Sequence, residues 1–129
     1  MKYLCTIYGD ESQMGGLTHE QVSEMMEAYG AFGQEAGDAI LAGEGLQPTS
    51  TATTVRVRDG ERMLTDGPFA ETKEQLGGFY LLECNSLDEA IELAAKIPGA
   101  QYGSVEVRPV MNYDGAGAGD AQQSAAAHS

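Results

Sequence analysis

The fold is decided by residues 77–108, which read GGFYLLECNSLDEAIELAAKIPGAQYGSVEVR. Residues 77–84 are largely apolar and predict a buried strand. Ser86 and Glu89 then stand at the spacing of a capping box, so a helix is expected to begin there. Its inward face is expected to hold Leu87, Ala90, Ile91, Ala94 and Ile97. Residues 105–108 alternate between apolar and charged side chains, and the whole segment therefore predicts a strand–helix–strand unit.

A second unit of the same kind lies nearer the start of the chain. Residues 2–8 alternate and predict a strand, and Thr18 with Gln21 forms another capping box. The helix that follows carries an apolar stripe made of Val22, Met25, Met26, Tyr29, Phe32 and Ala36. Gly37 is the expected end of this helix, and residues 39–42 predict a short strand.

Glycines and a hairpin separate the two units. Gly43 and Gly45 either form a plain turn or let the backbone pass close to another element or a ligand. Farther along, Asp59-Gly60 is the dipeptide that supplies positive φ angles for a two-residue type I′ turn, so residues 52–65 predict a β-hairpin. Its arginines are either ordinary exposed charges or a cluster that orients a carboxylate ligand or an acidic subunit surface: Arg56, Arg58 and Arg62.

Together these elements predict an α+β fold, a ferredoxin-like sandwich with two helices on one face of a mainly antiparallel sheet. The strands are apolar on both faces, yet two helices shield only one of them. A second subunit is expected to cover the other face. The pattern therefore predicts a homodimer.

Composition and charge restrict the class of protein. The 129 residues have the size of one globular domain, and 20 acidic against 7 basic side chains give a net charge of −13. So few cations disfavour direct binding to nucleic acid. No apolar run is long enough to cross a membrane, and the start of the chain turns polar too soon for a signal peptide, so we expect a cytoplasmic protein. From residue 114 onward no large apolar residue occurs, so the domain is predicted to span residues 1–112 and residues 113–129 to form a disordered tail.

Metal and cofactor sites are not indicated by the sequence. Cys5 and Cys84 lie inside apolar strand-like runs, where buried free thiols are expected rather than a redox pair. His19 and His128 are the only histidines, and no Cys/His ligand spacing surrounds either. We therefore expect neither a metal nor a cofactor.

The segment 65–79 combines turn formers, an aromatic side chain and ionisable groups. Asp66 precedes Gly-Pro, so its carboxylate is suited to accept hydrogen bonds from amides just beyond Pro68 and to pin the turn while Phe69 packs inward. Alternatively, Asp66 lies at the mouth of a pocket and acts as a general base. Both interpretations remain open from the residues alone.

The same segment carries a family resemblance. Residues 66–69, Asp-Gly-Pro-Phe, and residues 70–80, AETKEQLGGFY, resemble the signature of the DGPF branch of the YCII-related (YciI-like) proteins. Residues 41–48, LAGEGLQP, also resemble that branch, and the resemblance covers about residues 1–112. It implies a dimeric α+β barrel, in which two ferredoxin-like sheets pack face to face and each subunit has a cleft between sheet and helices.

The resemblance also bears on activity. Some YciI-like relatives carry a His-Asp pair proposed as an acid–base dyad, with the His in the first helix, and a relative in the wider family is a dehydrochlorinase of a chlorinated hydroxyquinol. The corresponding helical position here falls near Met26, which cannot transfer protons, and His19 lies two turns earlier. The dyad is therefore not carried over intact. Asp66 remains, with Tyr29 or His19 as candidate partners.

Two classes of function follow. In the first, the protein is a small-molecule enzyme or binder in which Asp66 is the catalytic residue and handles a proton without metal or nucleotide. Its substrate-binding cleft is predicted to be lined by Tyr3, Met26, Tyr29, Phe69 and Phe79. In the second, it is a non-catalytic regulatory or interaction protein. Genes of the resembled branch are commonly found beside, or fused to, sigma-factor genes, which implies a sigma-factor-related partner. In a third interpretation the protein is a scaffold in which Asp66 only holds a turn.

Overall fold

Six strands and four helices lie within residues 1–112, the part of the chain that the computed structural model describes. The strands are β1 (Lys2–Gly9), β2 (Ile40–Gly45), β3 (Thr53–Arg58), β4 (Glu61–Asp66), β5 (Gln75–Glu83) and β6 (Ser104–Pro109). The helices are α1 (Glu11–Met14), α2 (His19–Ala36), α3 (Leu87–Ala95) and α4 (Gly99–Tyr102), and two short 3-10 turns cover Gly37–Ala39 and Thr49–Thr51.

Four of the strands form one antiparallel sheet in the order β2-β5-β1-β6. The first strand lies inside the sheet, and the two strand–helix–strand units are β1-α2-β2 and β5-α3-β6. The predicted α+β class is therefore confirmed. The strand predicted at residues 39–42 is longer than expected and runs from Ile40 to Gly45.

Alternation along the strands gives this sheet two different faces. Cys5 pairs with Tyr80, and the Tyr80 ring packs against Phe32 of α2 with 5.0 Å between ring centroids, so this is the helix face. Thr6 pairs with Phe79, which places both on the opposite face. We call that side the open face, and its central residues are Leu4, Thr6, Phe79 and Leu81, all half-buried in the single chain.

The core lies between the helix face, α2 and α3. Its buried residues are Tyr3, Cys5, Phe32, Ala36, Leu82, Cys84, Ala90, Ala94 and Ile97. Helix α3 meets the sheet through the small side chains Ala90 and Ala94, which make its buried stripe narrow. The expectation that Leu87 and Ile91 point inward is wrong, because they flank this stripe and are 46% and 49% exposed.

The ends of the helices follow local rules. The hydroxyl of Thr18 accepts from the Gln21 amide at 3.1 Å, and the Gln21 side chain accepts from the Thr18 amide at 2.9 Å. This capping box starts α2 as predicted. Gly37 ends α2 with a φ of 52°, a backbone conformation that favours glycine.

The hairpin β3–β4 stands apart from the main sheet as a separate two-stranded sheet, which we call the ribbon. Asp59 and Gly60 have φ angles of 53° and 78°, as the type I′ turn requires. Val57 pairs with Arg62. Arg62 therefore lies on the ribbon face opposite the other two arginines, and the three do not form the single cluster considered from the sequence.

Two further expectations concern membrane spans and the end of the chain. Within residues 1–112 no helix is both long and apolar enough to cross a membrane. The disordered tail predicted at residues 113–129 lies outside the described part of the chain.

Candidate functional site

A cavity of about 830 Å³ opens at one end of the helix face, between α2, the short helices α1 and α4, and the adjoining ends of β1, β2 and β5. Small-molecule sites in proteins have volumes of about 300–1,000 Å³. The apolar part of the wall is formed by Ile7, Met14, Met25, Met26, Leu46, Pro48 and Pro98. Its size and lining fit a small organic molecule.

Four tyrosines line this cavity, Tyr8, Tyr29, Tyr80 and Tyr102, and two of them, Tyr29 of α2 and Tyr80 of β5, also pack against the core. Burial raises the pKa of Tyr29, and the backbone amide of Gly99 opposes that shift. Burial also raises the pKa of Tyr80, with a further contribution from the nearby Tyr29. Both phenols are therefore neutral at physiological pH. Neither hydroxyl donates a hydrogen bond to any atom of residues 1–112, so both donors are available to a ligand.

Glycines make room for Tyr29 and Tyr80. A Cβ on Gly43 would lie 2.6 Å from a ring carbon of Tyr80, and a Cβ on Gly99 would lie 2.9 Å from the Tyr29 hydroxyl. The Tyr80 ring thus occupies the place of the missing side chain on β2. This close approach bears out the second alternative considered for Gly43, backbone passing close to another element.

Two other polar side chains at the cavity, those of Glu11 and Gln75, are already engaged in hydrogen bonds. The Glu11 carboxylate accepts from the amide of Thr49 at 2.8 Å and from its hydroxyl at 2.6 Å. The Gln75 amide oxygen accepts from the backbone N–H of Glu11 at 3.0 Å, and its nitrogen donates to the carbonyl of Thr72. Glu44 borders the cavity too, but it pairs with Phe79, so its side chain lies on the open-face side of the sheet. These contacts tie α1 to the segments before β3 and β5 and shape the rim.

The predicted cleft residues are divided between three places. Met26 and Tyr29 line the cavity, and Phe79 borders it although its side chain lies on the open face. Tyr3 does not line the cavity: it is 2% exposed in the core, where its hydroxyl contacts the sulfur of Met1 at 3.7 Å. Phe69 lies beyond the ribbon and does not line the cavity either.

Asp66 is the last residue of β4, exposed and away from the cavity. Its carboxylate makes no hydrogen bond or ion pair within residues 1–112, so the expectation that it pins the turn is wrong. The backbone of Gly67 does this instead: its N–H donates to the carbonyl of Ala52 at 2.7 Å, and its carbonyl accepts from the Thr54 hydroxyl at 2.9 Å. Gly67 has a φ of 97°, so the turn depends on glycine.

Phe69 was expected to pack inward, and that expectation is wrong as well. The side chain is 77% exposed, and the guanidinium of Arg56 lies 5.6 Å from its ring centroid. A cation over an aromatic face at this distance is a weak attraction at an exposed site. Because the ribbon leaves the main sheet, the segment that follows it has no core to enter in the single chain.

Of the three residues Tyr29, Tyr80 and Gly99, only the first could be singled out from the sequence. Tyr29 stands out there because it belongs to the apolar stripe of α2. Tyr80 and Gly99 do not stand out, since their roles depend on strand register and on the placement of α4. In residues 1–112 no group of three or more His, Cys, Asp or Glu side chains is arranged to hold a metal ion.

Comparison with known proteins agrees with this architecture. A solved structure of 5-chloro-2-hydroxyhydroquinone dehydrochlorinase (TftG) from Burkholderia phenoliruptrix AC1100, in complex with 2,5-dihydroxybenzoquinone, superposes with a TM-score of 0.50 at 15% sequence identity, covering 87% of this chain and 95% of that one. An uncharacterized protein of Rhizobium meliloti (strain 1021) is 42% identical over 117 residues, which are 88% of this chain and 94% of that protein. The model of the YCII-related domain matches residues 1–114. The chain therefore belongs to the YCII-related domain family.

Proposed function

We propose that the protein binds a small organic molecule in the cavity between α2, α1, α4 and the end of the helix face, and acts on it as an enzyme. One observation carries the proposal: a largely apolar cavity of about 830 Å³ holds two tyrosine hydroxyls whose donor hydrogens are unused within residues 1–112. Apolar walls with a few convergent polar groups are typical of small-molecule sites.

The dehydrochlorinase supports the enzymatic part of this proposal only at the level of the fold. That protein acts on a chlorinated hydroxyhydroquinone and its structure holds a dihydroxybenzoquinone. At 15% identity the likeness extends to the fold, so a hydroquinone substrate for this chain is a hypothesis. Membership of the DGPF branch likewise stays a proposal that rests on residues 66–69.

Acid–base catalysis by Asp66 is the less supported part of the proposal. In a single chain Asp66 and the cavity are separate, so Asp66 would have to act from another subunit or after movement of the ribbon. Tyr29 and Tyr80 are better placed to donate a proton or a hydrogen bond to a bound molecule. Comparing Asp66→Asn with Tyr29→Phe in any assay of turnover distinguishes these assignments.

A ligand screen by NMR of the full-length protein tests the binding site. Fragments that bind should shift the backbone signals of Gly43, Tyr80 and Gly99 and leave those of the ribbon unchanged. Met26→Trp adds a bulky ring at the cavity border, on a side chain that is 71% exposed and therefore tolerant of change. It should weaken binding about tenfold or more.

The matched control is Val22→Trp, one turn earlier on the same stripe and not part of the cavity wall. It should leave affinity unchanged. Fragments that shift only ribbon signals, or equal effects of the two tryptophan variants, would contradict the proposal.

A second candidate function, a regulatory or interaction role, is favoured by the ribbon. Val55, Val57 and Leu64 lie on one of its faces and are 58%, 59% and 60% exposed. An isolated two-stranded sheet is only marginally stable in water, so this exposed apolar cluster, which shares its face with Arg62 and Asp66, favours a protein partner. A sigma-factor-related protein is one such proposed partner. The test is binding to a purified sigma-factor-related protein, which Val57→Asp should abolish without altering fragment binding in the cavity.

A further inference from the structure

The charge of the cavity wall restricts what can bind in it. Of the Lys, Arg and His side chains within residues 1–112, none lines the cavity, whereas two carboxylates, Glu11 and Glu44, belong to its border. The whole chain carries a net charge of −13. A carboxylate or phosphate entering this site would lose its hydration and meet no cation in exchange, which is unfavourable.

An organic cation is not favoured either. Glu11, the carboxylate on the cavity side of the sheet, already accepts two hydrogen bonds from Thr49, at 2.8 Å and 2.6 Å. Glu44 lies on the other side of the sheet, because it shares the face of Phe79. A bound ammonium group would therefore have to share the Glu11 oxygens with the two donors of Thr49.

The unused groups are donors. Tyr29 and Tyr80 keep their phenol protons at neutral pH because burial raises the pKa of each. Neither hydroxyl donates to an atom of the described part of the chain. A phenol O–H donates well to a carbonyl oxygen, and an uncharged acceptor of this kind needs no counter-ion in a pocket that has none.

We infer that the cavity selects an uncharged organic compound bearing a carbonyl or similar acceptor, which receives hydrogen bonds from Tyr29 and Tyr80, and that it rejects carboxylates and phosphates. This inference rests on the proposed binding function and specifies its ligand class. Gly99 leaves room for the Tyr29 hydroxyl, since a Cβ there would approach within 2.9 Å of this hydroxyl and 2.6 Å of Ile7.

Three probes of nearly equal size separate the alternatives. Acetophenone is uncharged and has a carbonyl, benzoate replaces it with a carboxylate, and isopropylbenzene has the same shape without an acceptor. Each is titrated into the full chain while backbone NMR signals are followed. Acetophenone should bind about tenfold more tightly than isopropylbenzene and more than tenfold more tightly than benzoate.

Variants assign the effect to the phenols. The double variant Tyr29→Phe/Tyr80→Phe should lose the preference for acetophenone over isopropylbenzene while its affinity for isopropylbenzene stays the same. The control Tyr3→Phe removes a hydroxyl from the core, outside the cavity, and should preserve the preference. Because each substitution removes only one oxygen atom, both variants are expected to fold, and their amide spectra check this.

The outcomes test the binding function and the ligand class separately. If no probe shifts the cavity signals, the proposed binding function fails. If benzoate binds as tightly as acetophenone, or if acetophenone and isopropylbenzene bind equally, the binding function stands and the ligand class inferred here is overturned. Retention of the acetophenone preference in the double phenylalanine variant would also overturn it.

Discussion

The substitution Gly43→Ala tests whether Tyr80 occupies its position because β2 has no side chain there. The added Cβ would lie 2.6 Å and 2.8 Å from two ring carbons of Tyr80 and 3.2 Å from the carbonyl oxygen of Phe79. Carbon atoms in favourable contact are about 3.5–4.0 Å apart, so the overlap with the ring is about 1 Å. The ring cannot simply retreat, since it also packs against Phe32.

Overpacking of this kind destabilises a protein by about 1–3 kcal/mol. Gly45→Ala is the matched control, because it lies on the same strand and nothing stands within 4 Å of its Cβ. An alanine that fits the backbone conformation of the glycine it replaces is expected to stabilise the protein by about 0.4–1 kcal/mol, because it lowers the conformational entropy of the unfolded chain. The free energies of unfolding of the two variants should therefore differ by about 1.4–4 kcal/mol.

Equilibrium unfolding in guanidinium chloride measures this difference, with the m-values compared to confirm that the unfolded states are alike. The ring proton signals of Tyr80 and Phe32 should shift in Gly43→Ala and stay in place in Gly45→Ala. Equal free energies of unfolding for the two variants would refute the reasoning, because β2 would then not be seated against the Tyr80 ring.

Three other predictions concern the cap of α2, the turn after β4 and the buried thiol of Cys5. Thr18→Ala removes the capping box of α2 and should lower the free energy of unfolding by about 1 kcal/mol, measured by thermal and chemical unfolding; no loss would mean that α2 does not depend on this cap. Asp66→Asn should change the free energy of unfolding by less than about 0.5 kcal/mol, whereas Gly67→Ala, at a φ of 97°, should lower it by about 1 kcal/mol or more. A larger loss in Asp66→Asn than in Gly67→Ala would mean that the Asp66 side chain holds the turn after all. Burial, with a smaller contribution from Cys84, raises the pKa of Cys5 from 9.0 to about 11, so the folded state keeps this proton to higher pH than the unfolded state does. The contribution of this thiol to the free energy of unfolding is therefore complete below pH 9 and is lost as the pH rises toward 11, by up to about 1.4 kcal/mol per pH unit. In Cys5→Ala the free energy of unfolding should fall less steeply over this range, which unfolding experiments at several pH values measure.

Local signals in the sequence predict the elements well. The Thr18 capping box and the Asp59-Gly60 turn are both in place, because each depends on side chains and φ angles within four residues. The doubled strand–helix–strand pattern likewise predicts the α+β class, since hydrophobic periodicity reports which faces must be buried. Inward-facing predictions for α3 fail at Leu87 and Ile91, because small alanines decide how closely that helix approaches the sheet.

The site depends on contacts that no local pattern encodes. Gly43 and Tyr80 are 37 positions apart in the chain, and only the β2–β5 register brings them together. The Asp-Gly-Pro-Phe segment attracts attention because turn formers and ionisable groups are dense there. Its position after a ribbon that leaves the main sheet is a matter of tertiary packing, and the single chain therefore places Asp66 and Phe69 in solvent.

The open face supports one more prediction, the homodimer. Its central hydroxyl, on Thr6, is shielded from solvent and has no hydrogen-bond partner within residues 1–112. Leu4, Phe79 and Leu81 lie beside it, while the ion-paired Glu106 and Arg108 of β6 border it on the other side, so the face resembles an apolar interface centre with a charged rim.

A second copy packed on this face would give a species of twice 13.6 kDa in light scattering at micromolar concentration. Thr6→Asp would then bury an unpaired charge on each copy and should yield the 13.6 kDa monomer, whereas Ser23→Asp, which adds the same charge on the exposed side of α2, should leave the dimer intact. A wild-type protein that scatters as the monomer would exclude the face-to-face barrel. In that case the cavity, which lies within a single chain, would have to work without a second subunit.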